Sequence, residues 1–182
     1  MVRLLDLAWH HRLRNDPPDD ERYLWIDPTI PTVRLRQVAA MCRKVWRSNE
    51  QYIPYAFSQP NDFFDVETGA CLLGPTRFGL TCATFVLAIF EVVGLRLVQY
   101  ETWPTGRDGD VEWQQQIVAL LQQLNPPASP EHISAIKQEV GTARFRPEEI
   151  AGAATVLPLP ASFADASAGA HLVLDKLAEV RL

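Results

Sequence analysis

Cys82 is the residue whose type and position most clearly suggest chemistry. It opens an apolar segment that is preceded by Thr81, a suitable N-cap, and followed by Gly94, a suitable helix stop. These signals predict a buried helix of about three turns. A cysteine in the first turn lies beside unpaired backbone N–H groups and the positive end of the helix dipole, which favour the thiolate. We therefore expect Cys82 to be a nucleophile that ionises below the ~8.5 of a free thiol.

A purely structural role is the alternative for this residue, because free cysteine is among the most frequently buried residue types. The other two cysteines are weaker candidates: Cys42 falls on the apolar face of a predicted helix, and Cys71 lies in a loop with no base nearby. Three cysteines without a CxxC pair predict neither a disulfide framework nor a thiolate zinc site. We expect free thiols and a cytoplasmic location.

A nucleophilic thiolate needs a base, usually a histidine, and the chain has four. His132 falls in a predicted helix and is expected to face solvent, while His171 lies in the C-terminal stretch. His10 and His11 end a predicted strand, where neighbouring side chains point to opposite faces. Only one of the pair can therefore face a site. His10 is preferred, since it shares its face with small or polar residues.

The elements that must position these residues mix strands and helices. Residues Leu4–Trp9 and Tyr23–Asp27 are predicted to be antiparallel strands joined by a polar loop. An amphipathic helix follows, and further helices are predicted to start near Asp110, Pro130 and Pro147. The irregular stretch 51–79 is long enough to suggest a functional loop. We expect one domain over residues 1–157 and an extension of uncertain structure over 158–182.

The overall composition limits the classes of partner. The chain has 182 residues, 47% of them hydrophobic, and a net charge of −5, which suits a globular domain rather than a nucleic-acid-binding one. The longest apolar run contains Glu91 and is too short to cross a bilayer. Motifs for phosphate, metal or serine chemistry are not visible, so we expect no cofactor and no metal. Docking of an anionic partner on one helix is a lesser alternative, suggested by basic residues Arg34, Arg36, Arg43, Lys44 and Arg47.

Three segments together resemble a known family. Ile53-Pro-Tyr-Ala-Phe57, a loop with Phe64-Asp65, and Gly79-Leu-Thr-Cys-Ala-Thr-Phe-Val86 are similar to the papain-like, NlpC-type cysteine hydrolases. Because the histidines precede Cys82, the order resembles the circularly permuted branch that includes the lecithin:retinol acyltransferase-like proteins. The resemblance covers residues 1 to about 100, and residues 55–86 are its most specific part.

The resemblance implies a papain-like α+β fold in which an antiparallel sheet packs against a central buried helix carrying Cys82, with additional helices towards the C-terminus. It implies thiol-dependent attack on an amide, peptide or ester carbonyl of a small-molecule or peptide substrate. Cys82 would be the nucleophile, His10 or His11 the base, and Tyr55 would lie near the oxyanion. Asp27 is the candidate third group, although simple pairing would place it nearer Asp6 than His10.

The same resemblance also supports a non-catalytic alternative. In the permuted pattern a histidine begins a strand of the form His-apolar-small-apolar, and the matching segment here is Asp6-Leu-Ala-Trp9. Asp6 therefore stands where that histidine would be. A binding or accessory protein that keeps the fold without a working Cys-His dyad is the second hypothesis.

Overall fold

A computed structural model describes residues 2–18, 25–49 and 52–180. These residues form an α+β fold with one two-stranded antiparallel sheet and six α-helices. The strands are β1 (Leu4–Trp9) and β2 (Arg12–Asp16). The helices are α1 (Thr32–Asn49), α2 (Cys82–Val92), α3 (Asp110–Gln122), α4 (Pro130–Glu139), α5 (Pro147–Ala153) and α6 (Phe163–Val180). None of these helices is long and apolar enough to cross a membrane.

The sheet is a tight hairpin. Strand β1 has the predicted bounds, and its partner is β2. The prediction of a second strand over Tyr23–Asp27 is wrong for residues 25–27, which have no regular structure. Tyr23 and the residue after it lie outside the described residues. The pairing follows from burial, since Leu7 and Leu13 are partners in register and each is 1% exposed. In β2 only Leu13 is apolar, so the alternation of buried and exposed side chains that is typical of a strand with one buried face is not visible in the sequence.

Helix α2 begins where the sequence predicts, because its first turn is capped. The Thr81 hydroxyl accepts a hydrogen bond from the Thr84 amide at 3.1 Å, and the Thr84 hydroxyl accepts one from the Thr81 amide at 2.8 Å. This reciprocal pair satisfies two amides that the helix itself leaves unpaired. Cys82 is consequently the first helical residue.

Helix α2 contributes to two clusters of buried side chains. Phe85 and Ile89 pack with Leu7 of β1, while Ala83 and Leu87 pack in the cluster that contains Ile150 of α5. The expectation that this helix is buried on every side is nevertheless wrong. Cys82 is exposed and Val86, one turn later, is 39% exposed, so one strip of the helix faces an open pocket.

Helices α5 and α6 pack closely through two glycines. A Cβ atom on Gly152 would lie 2.5 Å from the carbonyl oxygen of Ala166, and one on Gly169 would lie 2.8 Å from the Gly152 backbone. Only hydrogen at these positions permits this approach. Helix α6 thus holds α5, which forms one wall of the pocket beside Cys82.

Candidate active site

Cys82 lies at the edge of an apolar pocket, and that surrounding determines its ionisation. One edge of the Cys82 side chain is exposed, but burial of the sulfur by the atoms packed around it raises the pKa of the thiol above its ordinary value. The Ala83 amide, the Tyr55 hydroxyl and Arg144 each act to lower it. The expectation of a lowered pKa is therefore wrong. Desolvation of the thiolate outweighs the favourable helix start. At neutral pH the resting group is the thiol.

Tyr55 is the side chain that the structure brings to Cys82. Burial, and then the neighbouring Cys82, raise the pKa of the Tyr55 phenol, while the Tyr55 hydroxyl acts to lower the pKa of the thiol. The phenol therefore stays protonated, and its O–H is available as a donor to the thiolate. The Trp9 ring lies against the Tyr55 ring with centroids 4.8 Å apart. This contact fixes the phenol from the side of the hairpin.

The segment that carries Tyr55 is tied to the chain just before α2. The Leu80 amide donates to the Pro54 carbonyl at 3.0 Å, and the Ala56 amide donates to the Leu80 carbonyl at 3.4 Å. Gly79 allows this approach, because a Cβ atom there would lie 2.3 Å from the Pro54 oxygen. The tyrosine and the cysteine are therefore positioned by the same short pairing.

The other end of the Tyr55 segment is held by a partly buried carboxylate. Glu139 of α4 accepts hydrogen bonds from the Phe57 amide at 2.8 Å and from the Ser58 hydroxyl at 2.6 Å. Burial raises the pKa of Glu139, while these two donors lower it. The long loop predicted over 51–79 is thus anchored at its functional end.

Two histidines contact the peptide groups of Tyr55. The Tyr55 amide donates to Nδ1 of His10 at 3.1 Å, and Nε2 of His132 lies 3.1 Å from the Tyr55 carbonyl oxygen, to which it can donate. Burial, and then the neighbouring His11 and His132, lower the pKa of His10 to about 4, so its imidazole is neutral. Within the described part of the chain, no hydrogen bond joins an imidazole to Cys82. The thiol neighbours the Tyr55 side chain, whereas the two imidazoles contact the Tyr55 peptide groups.

The expectation that His132 faces solvent is wrong. The ring is half-buried, and its centroid lies 4.9 Å from that of His10. Its spacing of four residues from Ile136, which is fully buried and therefore on the same side of α4, is the signal that could have revealed it.

His10 and His11 differ in exposure, but not because of strand alternation. Both lie in the turn between β1 and β2, and His11 adopts a positive φ of 55° there. The His11 amide donates to the Ile53 carbonyl at 3.0 Å while its ring is exposed. His10 points inward to Tyr55. The turn geometry therefore places His10, rather than His11, beside the Tyr55 segment.

Asp27 is not brought to this cluster by any bond. It is exposed and lies in the irregular stretch 25–28. Among the residues the structure describes, it forms no hydrogen bond or ion pair with His10, Tyr55 or Cys82. The strand pairing that was expected to place it near Asp6 is replaced by the β1–β2 hairpin.

The pocket beside Cys82 has a volume of about 310 Å³ and is almost entirely apolar. Asp6 is its charged lining residue, and the carboxylate forms an ion pair with Arg14 at 2.6 Å. Asp6 and Cys82 thus line one cavity from β1 and from α2. The remaining lining residues are Leu5, Leu7, Ala83, Phe85, Val86, Phe90, Leu97, Pro147, Ile150, Ala151 and Ala154.

A metal centre is not suggested by this geometry. Across residues 2–18, 25–49 and 52–180, no group of three or more histidine, cysteine or acidic side chains is arranged to hold a metal ion. Comparison of the chain with protein-family models, with curated proteins and with solved structures gives no match.

Proposed function

We propose that the protein is a thiol-dependent hydrolase or acyl transferase that uses Cys82 to attack an amide, peptide or ester carbonyl. The observation that carries the proposal is the position of Cys82 in the capped first turn of α2, on the edge of an apolar pocket and with Tyr55 as a neighbour. A cysteine nucleophile needs groups that favour its thiolate and a cavity for the substrate on the same side. The resemblance to permuted NlpC-type proteins supports the same chemistry and a papain-like fold.

The proposed reaction begins with transfer of the thiol proton to a base, His10, which later returns it to the leaving group. The Cys82 sulfur then forms a bond to the carbonyl carbon, and the leaving group departs with a proton to give a thioester on Cys82. Water, or another acceptor, attacks the thioester and restores the thiol. The Tyr55 hydroxyl and the Ala83 amide, which both favour the thiolate, stabilise the charged sulfur before attack.

His10 is the base in this proposal. In the structure its imidazole contacts the Tyr55 peptide rather than the Cys82 sulfur. Its imidazole must turn towards sulfur to take the proton, because the bond that it makes in this structure is to the Tyr55 amide. Replacement of His10 by alanine should therefore slow acylation of Cys82 far more than His11→Ala, since the His11 ring is exposed. Equal rates for the two variants would remove His10 from the mechanism.

The proposal is tested by trapping the thioester. Wild-type protein is incubated with p-nitrophenyl butyrate, and peptide mass spectrometry locates the butyryl group. We expect modification of Cys82 in the wild type, none at this position in Cys82→Ser, and unchanged modification of Cys82 in Cys71→Ser. A butyryl group distributed equally over the three cysteines, or absent from Cys82, would contradict the proposal.

A non-catalytic binding protein is the second candidate, favoured by the Asp6–Arg14 ion pair in the pocket where the resemblance would place a histidine. In that case the pocket would bind an apolar ligand without covalent chemistry. The fluorescent probe anilinonaphthalene sulfonate should then bind wild type and Cys82→Ser equally. It should bind Val86→Trp weakly, because the larger ring fills the pocket. Binding of this kind without any thioester on Cys82 would favour this second function.

A further inference from the structure

Arg144 lies beside the start of α2, where no sequence pattern predicts a charge. Its guanidinium carbon lies 3.9 Å from the centroid of the Trp113 ring, so the group is held flat against an aromatic face. Arg144 and Trp113 line a small cavity together with Thr81 and Phe57. Thr81 caps α2 immediately before Cys82, and Phe57 follows Tyr55 by two residues, so this cavity adjoins the first turn of α2 and the segment that carries Tyr55.

The charge of Arg144 is only partly compensated by its acidic partner. The Asp110 side chain is only 3% exposed. Its carboxylate forms ion pairs with Arg107 at 2.8 Å, Arg146 at 2.8 Å and Arg144 at 3.2 Å. Three guanidinium groups thus share one carboxylate, and the contact of Arg144 is the longest. A second carboxylate, Glu149, is bonded to Arg107 and to the Trp103 indole rather than to Arg144.

The effect of this charge reaches both site residues. Arg144 acts to lower the pKa of the Cys82 thiol and that of the Tyr55 phenol, in each case against the larger effect of burial. Asp6, the charged residue that lines the pocket beside Cys82, is paired with Arg14, and Glu149 of α5 is paired with Arg107. A guanidinium held against a ring supplies a positive charge at a fixed position.

We infer that Arg144 is a positioning residue of the Cys82 site, whose fixed positive charge stabilises the thiolate and the oxyanion that forms on the attacked carbonyl. The second part of this role rests on the proposed function, whereas the first part concerns only the thiol. In a site where the imidazoles contact the Tyr55 peptide, this arginine supplies the cation that a cysteine nucleophile usually obtains from histidine.

The test measures the rate of Cys82 alkylation by iodoacetamide against pH, with Cys42 and Cys71 followed in the same digest. Arg144→Gln removes the charge but keeps a planar amide that can donate to Asp110, and Arg144→Lys keeps the charge. Arg146→Gln is the matched control, because Arg146 donates to the same Asp110 oxygen. Asp110→Asn should act in the opposite direction, since it leaves the charge of Arg144 less compensated.

We expect Arg144→Gln to slow Cys82 alkylation at pH 7 by about threefold or more, which corresponds to a rise of roughly half a pKa unit. Arg144→Lys and Arg146→Gln should stay closer to wild type, and Asp110→Asn should be faster. An unchanged profile in Arg144→Gln, or an equal change in Arg146→Gln, would overturn the inference. If Arg144→Gln does not fold, as judged by its melting curve, a profile of Asp110→Asn that is not faster overturns it instead.

This readout needs no substrate. A normal thioester on Cys82 together with an unchanged alkylation profile in Arg144→Gln would contradict only the role of Arg144. A shifted profile without any thioester in the wild type would instead contradict the proposed function.

Discussion

Tyr55 and Cys82 are close enough for each to shift the pKa of the other, although they stand on two segments of very different structure. Cys82 stands on a capped helix, whereas Tyr55 stands on an extended segment whose amide and carbonyl are bonded to His10 and His132. The hairpin turn and α4 therefore both position the tyrosine that neighbours the thiol.

Removal of the phenol should make the thiol less acidic. In Tyr55→Phe we expect alkylation of Cys82 at neutral pH to slow roughly fivefold, because the thiolate would lose a hydrogen bond from the phenol of about 1 kcal/mol. The control is Tyr52→Phe, because Tyr52 is exposed and lies outside the contact. Equal rates in wild type and Tyr55→Phe would show that the hydrogen bond does not stabilise the thiolate.

A methyl group at Gly79 should separate the two segments. Gly79 has a φ of 155°, and its Cβ atom would lie 2.3 Å from the Pro54 oxygen. We expect Gly79→Ala to lose about 1–3 kcal/mol of unfolding free energy, as overpacking generally does. Gly74→Ala is the control, since no atom lies within 4 Å of its Cβ position. Urea denaturation measures both variants, and similar midpoints for the two would contradict the close approach.

The stability of the protein should depend on the charge of His10. Its pKa is about 4 in the folded chain, whereas the ordinary pKa of histidine is 6.5, so the unfolded chain binds more protons between these limits. The contribution of His10 is fully present above pH 6.5 and is lost as the pH falls towards 4.

The measurement compares urea unfolding of wild type, His10→Asn and His11→Asn from about pH 7 to about pH 4, the range over which an imidazole of this kind titrates. Burial also lowers the pKa of His132, which reduces stability in acid in the same way, and raises the pKa of Glu139, which has the opposite effect. The quantity that isolates His10 is therefore the difference in unfolding free energy between the two variants. We expect His10→Asn to show a smaller loss of unfolding free energy with acid than His11→Asn. Parallel curves for the two variants would exclude a buried neutral imidazole at His10.

The buried and exposed sides of α2 should differ in their tolerance of truncation. Phe85 is 2% exposed and packs against Phe64, so Phe85→Ala should cost about 3–5 kcal/mol. Val86→Ala, on the strip that faces the pocket, should cost much less. Thermal melts of the two variants provide the comparison. A near-native melting temperature for Phe85→Ala would show that the helix is peripheral to the core.

Local signals in the chain are sufficient for most helix starts. Thr81, Ser129 and Pro147 mark the first turns of α2, α4 and α5 as predicted, because capping and proline preferences act within a few residues. Strand β1 also has its predicted bounds. Its partner does not follow from the sequence, because Leu13 pairs with Leu7 in a stretch that is otherwise polar.

The sequence alone determined that Cys82 begins a capped helix and that Tyr55 belongs to a long, irregular loop before it. Only the tertiary structure decided how that cysteine ionises. The pocket beside it is lined in part by Pro147, Ile150, Ala151 and Ala154, and the opposing charge comes from Arg144, all far from Cys82 along the chain. Desolvation and Coulomb interactions depend on distance in space, and no spacing within the sequence encodes that distance.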